Sequence, residues 1–307
     1  MYYFIINPNS RSGKGGLIWK DLETVLQERH IEYKTFFTEY KGHAALLSAS
    51  ITSDIPPGDS LKLVAVGGDG TIQEVLTGIS DLSRVIFGYI PTGSGNDFCR
   101  SMKLPQDPKE ALELVLSDRR PHPMDVPHIS CGSNSSRFAI SCGIGFDAGV
   151  CHEVSVTPMK KLLNKIGLGK LVYLFVALKQ LLFLKPSPMT LIMDGDKKAE
   201  FSKVYFAAVM NQKYEGGGFK FCPAASPSDG YLDIIVVDSL SKPKVLLCLP
   251  TAFFGKHTHF HGIHIFRCKE VTIHSDVTLP VHKDGESAGL MNDFSASMES
   301  QQINIIS

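Results

Sequence analysis

A glycine-rich stretch, Gly67-Gly68-Asp69-Gly70-Thr71, stands between an apolar run over 61–66 and a helical pattern over 72–78. Glycines there permit positive φ and let a polyphosphate approach backbone N–H groups, and the helix N-terminus that follows favours negative charge. Asp69 would repel bare phosphates, so its expected work is through Mg²⁺ or a hydroxyl of a nucleotide. The plainer alternative is a tight strand-to-helix turn with a capping Asp. A second polar loop, Pro91-Thr92-Gly93-Ser94-Gly95-Asn96-Asp97-Phe98, offers hydroxyls, an amide and a carboxylate. Its alternative is an N-cap in which Asn96 or Asp97 starts the next helix. A third loop, Asn7 to Gly16, lacks the spacing and the Lys-Ser/Thr ending of a P-loop. Near the C-terminus, Asp284-Gly285-Glu286 would set two carboxylates on one strand face if extended, one to serve as a base and the other as a nucleotide or metal contact. Taken alone, such a tripeptide is more often a turn.

The elements that must position these residues alternate. Tyr2–Ile6, 61–66 and 85–90 read as strands, each followed by a polar turn and a helical pattern. Strand, turn and helix in that order imply a parallel sheet covered on both faces, with ligands at the carboxyl ends of the strands. The three polar loops then form one mouth. After Asp125 the pattern changes to short runs such as 137–141, 189–193, 203–209, 232–237, 269–274 and 278–282, each bounded by turn residues. The fold expected is α/β followed by β: a doubly wound parallel nucleotide domain over 1–125, then a mostly antiparallel β-sandwich domain over 126–292. A helical insertion is expected over 158–185, and the segment 293–307 is free to return to the first domain.

A chain of 307 residues that is 43% hydrophobic can bury one large core or two modest ones, and its length favours two domains. Lys+Arg and Asp+Glu are equal at 31 each, so no global field draws it to nucleic acid. Seven cysteines without a CxxC pair argue against a zinc knuckle or a disulfide framework and suit a reducing cytoplasm. The start, Met1 to Pro8, looks like a strand entering a turn rather than a signal peptide. The longest apolar stretch, 171–184, is 14 residues long and contains Lys179, short of the roughly 20 that span a bilayer.

The ordered motifs resemble a family. Asn7-Pro8 with Ser10 and Gly13, Thr38 with Gly42-His43-Ala44, Gly67–Thr71 with Glu74-Val75 and Gly78, and the Pro91–Phe98 loop look like the diacylglycerol kinase catalytic domain. The likeness continues through Gly143-x-Gly145-Phe146-Asp147-Ala148, Gly216-Gly217, Pro223-x-Ala225, Asp229-Gly230-x-Leu232-Asp233, Gly255-x-His257 and Asp284-Gly285-Glu286. The nearest resemblance is to bacterial soluble lipid kinases related to sphingosine kinases. It implies ATP as phosphoryl donor, Mg²⁺, and a lipid acceptor, diacylglycerol first. Asn7, Ser10, Thr38, Gly67, Gly68, Asp69, Gly70, Thr71, Ser94, Asn96, Asp97 and Glu286 are the nucleotide-side positions that the loops and the resemblance together supply. Asp284 falls on the proton acceptor, and Asp229, with carbonyls near Ser226 and Tyr231, on a structural Mg²⁺ site. The sequence departs from the pattern at Ser94, where Thr is usual, and in the pair His282-Lys283 before Asp284.

Two other readings share parts of the pattern. NAD kinases carry GGDGT-like loops, and a nucleotide-sensing regulator could keep the fold without turnover, although a binding module has no need of a base at Asp284. His257, His259, His261 and His264 invite a metal reading, since i, i+2 and i+4 on a strand share a face, yet a zinc site needs a further ligand and a shaped cavity, and His257 falls on the family's Gly-x-His position. From Val154 to Met193 there is no acidic residue and there are six lysines, among them Lys160, Lys161 and Lys165. That stretch suits either peripheral contact with an anionic membrane or an interdomain helix with solvated lysines.

Overall fold

Alternation in the first strand decides how the N-terminal half is layered. In β1 (Tyr2–Ile6), Phe4 and Ile6 point to one face and Ile5 to the other. Phe4 and Ile6 pack on Trp19, Leu22 and Leu26 of α2 (Gly15–Glu28), spaced as one helical stripe. Ile5 packs with Ile72, Val75 and Leu76 of α4 (Asp69–Gly78). The computed structural model describes residues 1–56, 58–93, 95–156, 176, 179–181, 183 and 185–307. Ser94 and most of the expected insertion 158–185, with Lys160, Lys161 and Lys165, lie outside the described residues.

β1 pairs in parallel with β2 (Tyr33–Phe37) and with β3 (Leu61–Gly67), and β3 pairs in parallel with β4 (Val85–Pro91). Between them run α1 (Ser10–Gly13) and α3 (His43–Ser53), and after β4 come α5 (Asp97–Met102) and α6 (Pro108–Leu116). Ala111, Leu112 and Val115 of α6 join Phe4 and Trp19 on one face of the sheet, and Ala44 of α3 joins Ile5 on the other.

The chain then turns to antiparallel pairing: β5 (His122–Cys131), β6 (Asn134–Arg137), β7 (Ser141–Gly145), β8 (Ser187–Met193), β9 (Lys197–Met210), β10 (Leu232–Asp238), β11 (Ile263–Cys268), β12 (Glu270–Lys283) and β13 (Glu286–Ile305). Among the described residues, the helices α7 (Phe146–Val156) and α8 (Lys242–Ala252) interrupt it, and residues 176, 179–181 and 183 are helical as well. β7 and β8 each lie between β9 and β12, at opposite ends of those long strands, so the strands close around a core that includes Ile144, Leu191, Val209, Val236, Ile273 and Phe294. β13 pairs with β12 at its start, with β5 further on, and with β4 at Asn304 and Ile305, where it runs parallel.

Three local expectations change. The runs 269–274 and 278–282 are one strand, β12, with breaks in register against β13. The run 137–141 is not one strand: Arg137 ends β6, Ser141 starts β7, and 138–140 lie between them, where the amides of Ala139 and Ile140, with that of Ser141, donate to the carboxylate of Asp284. The histidines at 257 and 259 belong to a short 3₁₀ turn that opens at Gly255, φ 68°, and so share no strand face with His264 on β11.

Candidate active site

Four strand ends converge. Asn7 follows β1, Thr38 follows β2 with its N–H on the Ile6 carbonyl, the Gly67–Thr71 loop closes β3, and Thr92 follows β4 with its N–H 2.7 Å from the Gly67 carbonyl. Short hydrogen bonds sew the loops together. Asn7 Nδ2 donates to Thr71 Oγ1 at 3.2 Å, and the Ser10 and Thr92 hydroxyls meet at 2.6 Å. Backbone presses on backbone at the centre: a Cβ on Gly93 would come within 2.7 Å of Gly68 Cα, so a side chain there would force the loops apart. Glu74, one turn into α4, accepts from the N–H groups of Gly42 and Ala44 and so caps α3.

Asp69 begins α4, and its Oδ1 is sealed from solvent without a hydrogen-bond partner. Burial, then the charges of Asp97 and Asp284, push its carboxyl up to about 7, against backbone hydrogen bonds from Asp97 and Phe98. Asp97 is buried and pairs with Arg100 and with the Gly217 N–H at 2.7 Å. Burial still raises its carboxyl above the ordinary range. Asn96 adopts φ 54° before α5, and its Oδ1 is likewise buried without a partner.

Asp284 and Gly285 form a turn, which corrects the extended reading of the tripeptide. Their φ values are 45° and 76°, and Lys283 pairs with Glu286 across them, as in a two-residue hairpin of the mirror-image type. Both carboxylates still reach the mouth. Glu286 lies over Gly70, whose added Cβ would meet Glu286 Cγ at 3.5 Å, and it pairs with Lys41 at 2.8 Å. Asp284 is buried: Oδ2 accepts from Ala139 N at 2.7 Å, and Oδ1 from Ile140 N at 2.7 Å and Ser141 N at 3.0 Å. A carboxylate has about four acceptor positions, so one lone pair, on Oδ2, is left over. Burial outweighs those three amides and the pull of His282, and holds the Asp284 carboxyl up at about 6.

Sequence reasoning assigned no role to a group beneath this turn. His282, fully buried, sets Nε2 3.0 Å from Asp147 and 3.2 Å from Glu215. Burial opposes its cation, but Glu215 and Asp147 overcome that and raise the imidazole to about 9. Burial and Asp147 push Glu215 up to about 7, with His282 opposing. The Gly285 N–H lies 3.3 Å from His282 Nδ1. The trio therefore shares its protons as one unit, with a proton kept on Nε2. The three side chains could also offer ligand atoms within 4.8 Å of one another. Gly143 makes room: a Cβ there would stand 2.6 Å from Asp147 Oδ2 and 2.9 Å from His282 Nε2. The Gly143-x-Gly145-Phe146-Asp147 motif and the His before Asp284 were the visible signals. Lys283 turns away, donates to Ser136 at 2.8 Å, and is lowered by burial.

The turn holding Ser226, Asp229 and Tyr231 is a separate feature. Asp229 accepts from Tyr231 N at 3.1 Å and pairs with Arg267 at 2.5 Å, while Gly230 N donates to Asp125 at 2.8 Å. Asp233 is pushed up to about 6 by burial, with Arg267 opposing and Asp229 adding to the rise. Two carboxylates, Asp229 and Asp233, thus share one guanidinium.

Both halves of the chain match known proteins. Residues 1–129 match the model of the diacylglycerol kinase catalytic domain, and residues 141–307 that of the YegS C-terminal NAD kinase beta sandwich-like domain. Bacillus subtilis YtlR is 32% identical over 295 residues, covering 94% of each chain. A diacylglycerol kinase of Mycobacterium tuberculosis is 30% identical over 229 residues, 74% of this chain and 70% of that one. A crystal structure from Bacillus anthracis superposes with a TM-score of 0.75 at 24% identity, over 99% of this chain and 94% of that chain, and so shares the fold. With both halves matched in order and a relative aligned almost end to end, the chain belongs to the diacylglycerol kinase catalytic-domain family and is a kinase.

Proposed function

We propose that the protein transfers the γ-phosphoryl group of ATP to a hydroxyl of a lipid, diacylglycerol first, with Asp284 as the base. On this reading the parallel strands form a doubly wound nucleotide domain spanning about residues 1–125. The observation that carries the proposal is the acceptor count at Asp284: three backbone N–H groups fix the carboxylate, one lone pair on Oδ2 stays available, and burial raises its basicity to about 6. A base so fixed can orient an incoming hydroxyl and take its proton as the oxygen bonds to phosphorus. Phosphoryl transfer asks little more of a protein than alignment and neutralised phosphate charge. On this reading the Gly68–Gly70 turn at the start of α4 faces the phosphates, and Asn7, Ser10, Thr38, Asn96 and Asp97 frame them. Glu286 and Lys41 stand at the rim.

The buried, partnerless Oδ1 of Asp69 and its raised pKa suit a divalent cation arriving with the nucleotide. Such an ion would supply charge neutralisation at the phosphates. Asp229, beside Asp233 and paired with one Arg267, suits a second, structural Mg²⁺ together with carbonyls near Ser226 and Tyr231: the donors are oxygens, and two carboxylates face one guanidinium. Mg²⁺ at about a hundred times its dissociation constant should then stabilise the wild type by about 2.7 kcal/mol. Asp229→Ala should remove that response in a thermal melt. A mutant that responds as the wild type does would place the ion elsewhere.

The activity is tested by incubating the protein with γ-labelled ATP, dispersed diacylglycerol and NAD⁺ together, then separating products by thin-layer chromatography. Label is expected in the lipid extract. Label only in a phosphorylated dinucleotide, or ATP binding without any product, would overturn the proposal.

A further inference from the structure

Helix α8 turns Val245, Cys248 and Ala252 inward. Its opposite side is apolar as well: Leu246 and Leu247 are exposed, and Phe253 and Phe254 follow at the helix end, with Leu247 69% and Phe254 74% accessible. A surface helix normally shows polar residues there. The patch is braced from beneath, since Phe253 stacks on Phe219 with ring centroids 4.1 Å apart. The segment that carries it bears charge of one sign. No Asp or Glu occurs between Asp238 and Glu270, while Lys242, Lys244 and Lys256 flank the exposed leucines and phenylalanines.

The loop beneath the patch leads to the site. Glu215 pairs by backbone with Phe219, Gly217 N holds Asp97, and the Glu215 side chain meets His282, two residues before Asp284. Apolar side chains ringed by lysines, one loop away from the catalytic turn, define both a partner chemistry and an orientation.

We propose that the α8 face, centred on Leu247 and Phe254, is the surface by which the protein docks on an anionic lipid bilayer. The proposal rests on the lipid-kinase reading above, which requires the acceptor to be reached at a membrane. Exposed Leu and Phe enter the acyl boundary while neighbouring lysines meet anionic headgroups. A second copy of the chain fits less well, because a two-fold contact through this face would oppose lysines to lysines.

The test is co-sedimentation of the full chain with phosphatidylcholine vesicles, and with vesicles in which about a third of the lipid is phosphatidylglycerol. Wild-type binding is expected to rise with phosphatidylglycerol. The double variant Leu247→Glu/Phe254→Glu should bind both vesicles about tenfold more weakly. Lys244→Glu/Lys256→Glu should lose the preference for anionic lipid. Diacylglycerol phosphorylation in nonionic detergent micelles, where no bilayer need be found, should stay at the wild-type rate in both variants. Variants that bind vesicles as the wild type does would overturn the proposal, as would variants that change only self-association in sedimentation velocity. A wild type that phosphorylates no lipid in micelles would instead remove the lipid-kinase reading, and the vesicle result would stand on its own.

Discussion

Asp284→Asn is expected to slow phosphoryl transfer by about 10²- to 10⁴-fold, because the variant has no base to accept the hydroxyl proton. The change is less silent than its shape suggests. An Asn amide has one oxygen, and whichever way it turns its NH₂ faces an N–H of Ala139, or those of Ile140 and Ser141. The least costly orientation points NH₂ at Ala139 and occupies the Oδ2 position, where the spare lone pair had been. One lost buried hydrogen bond should lower stability by about 1–3 kcal/mol, so turnover has to be read on folded protein, with a melting curve beside it. ATP affinity by calorimetry should stay within about threefold, since the residue acts on the acceptor side. Asp69→Asn should do the reverse and weaken ATP. In the wild type, turnover should fall as pH drops through about 6, where Asp284 takes up a proton. An Asp284→Asn protein that turns over at the wild-type rate would remove the residue from the chemistry.

The largest loss of stability is expected from His282→Leu. It deprives Asp147 and Glu215 of the donor between them and leaves two carboxylates buried together, a situation that costs about 3–5 kcal/mol. The pH dependence has a definite sign. Glu215 already holds its proton more tightly folded than unfolded, at about 7, so its ionisation destabilises the native state as pH rises from the ordinary carboxylate range through that value. His282 likewise holds its proton more tightly folded than unfolded, at about 9, so its share of stability is whole below its ordinary value and fades as pH rises toward 9. Wild-type stability by urea unfolding should therefore fall between about pH 6 and about pH 8. Adding Asp147→Asn and Glu215→Gln to His282→Leu should recover part of its loss and flatten the pH dependence. A triple variant no more stable than His282→Leu would mean that lost packing, and not buried charge, explains the effect.

The N-terminal strands were legible because parallel strands buried on both faces read as continuous apolar runs, and glycine-rich turns marked their ends. The β-rich half was legible as strands but not as connections. A bulged strand such as β12 carries turn-like residues, Ser275 to Val277, inside it, so it reads as two. The segment 137–141 has a strand's composition, yet its amides serve Asp284, a partner more than 140 residues away that no local pattern announces. The same holds for His282, Asp147 and Glu215. Each is an ordinary polar residue in sequence, and only the pairing of β12 with β7, His282 opposite Gly143, brings them within hydrogen-bonding distance. The turn at Asp284 and Gly285 was a different case: a hairpin turn and a reacting carboxylate are compatible, because Asp tolerates positive φ better than most residues.

β13 starts at the rim of the cleft with Glu286 and ends against β4 in the parallel sheet. One unbroken ribbon of backbone therefore spans both walls of the site, and it is zipped to neighbours along most of its length. A protein with flexible linkers between its halves can swing open like a book. Here the covers share a spine that is itself part of the pages, so admitting and releasing nucleotide calls for a torsional give along the strand, spread over many residues, and for movement of the loops at its mouth.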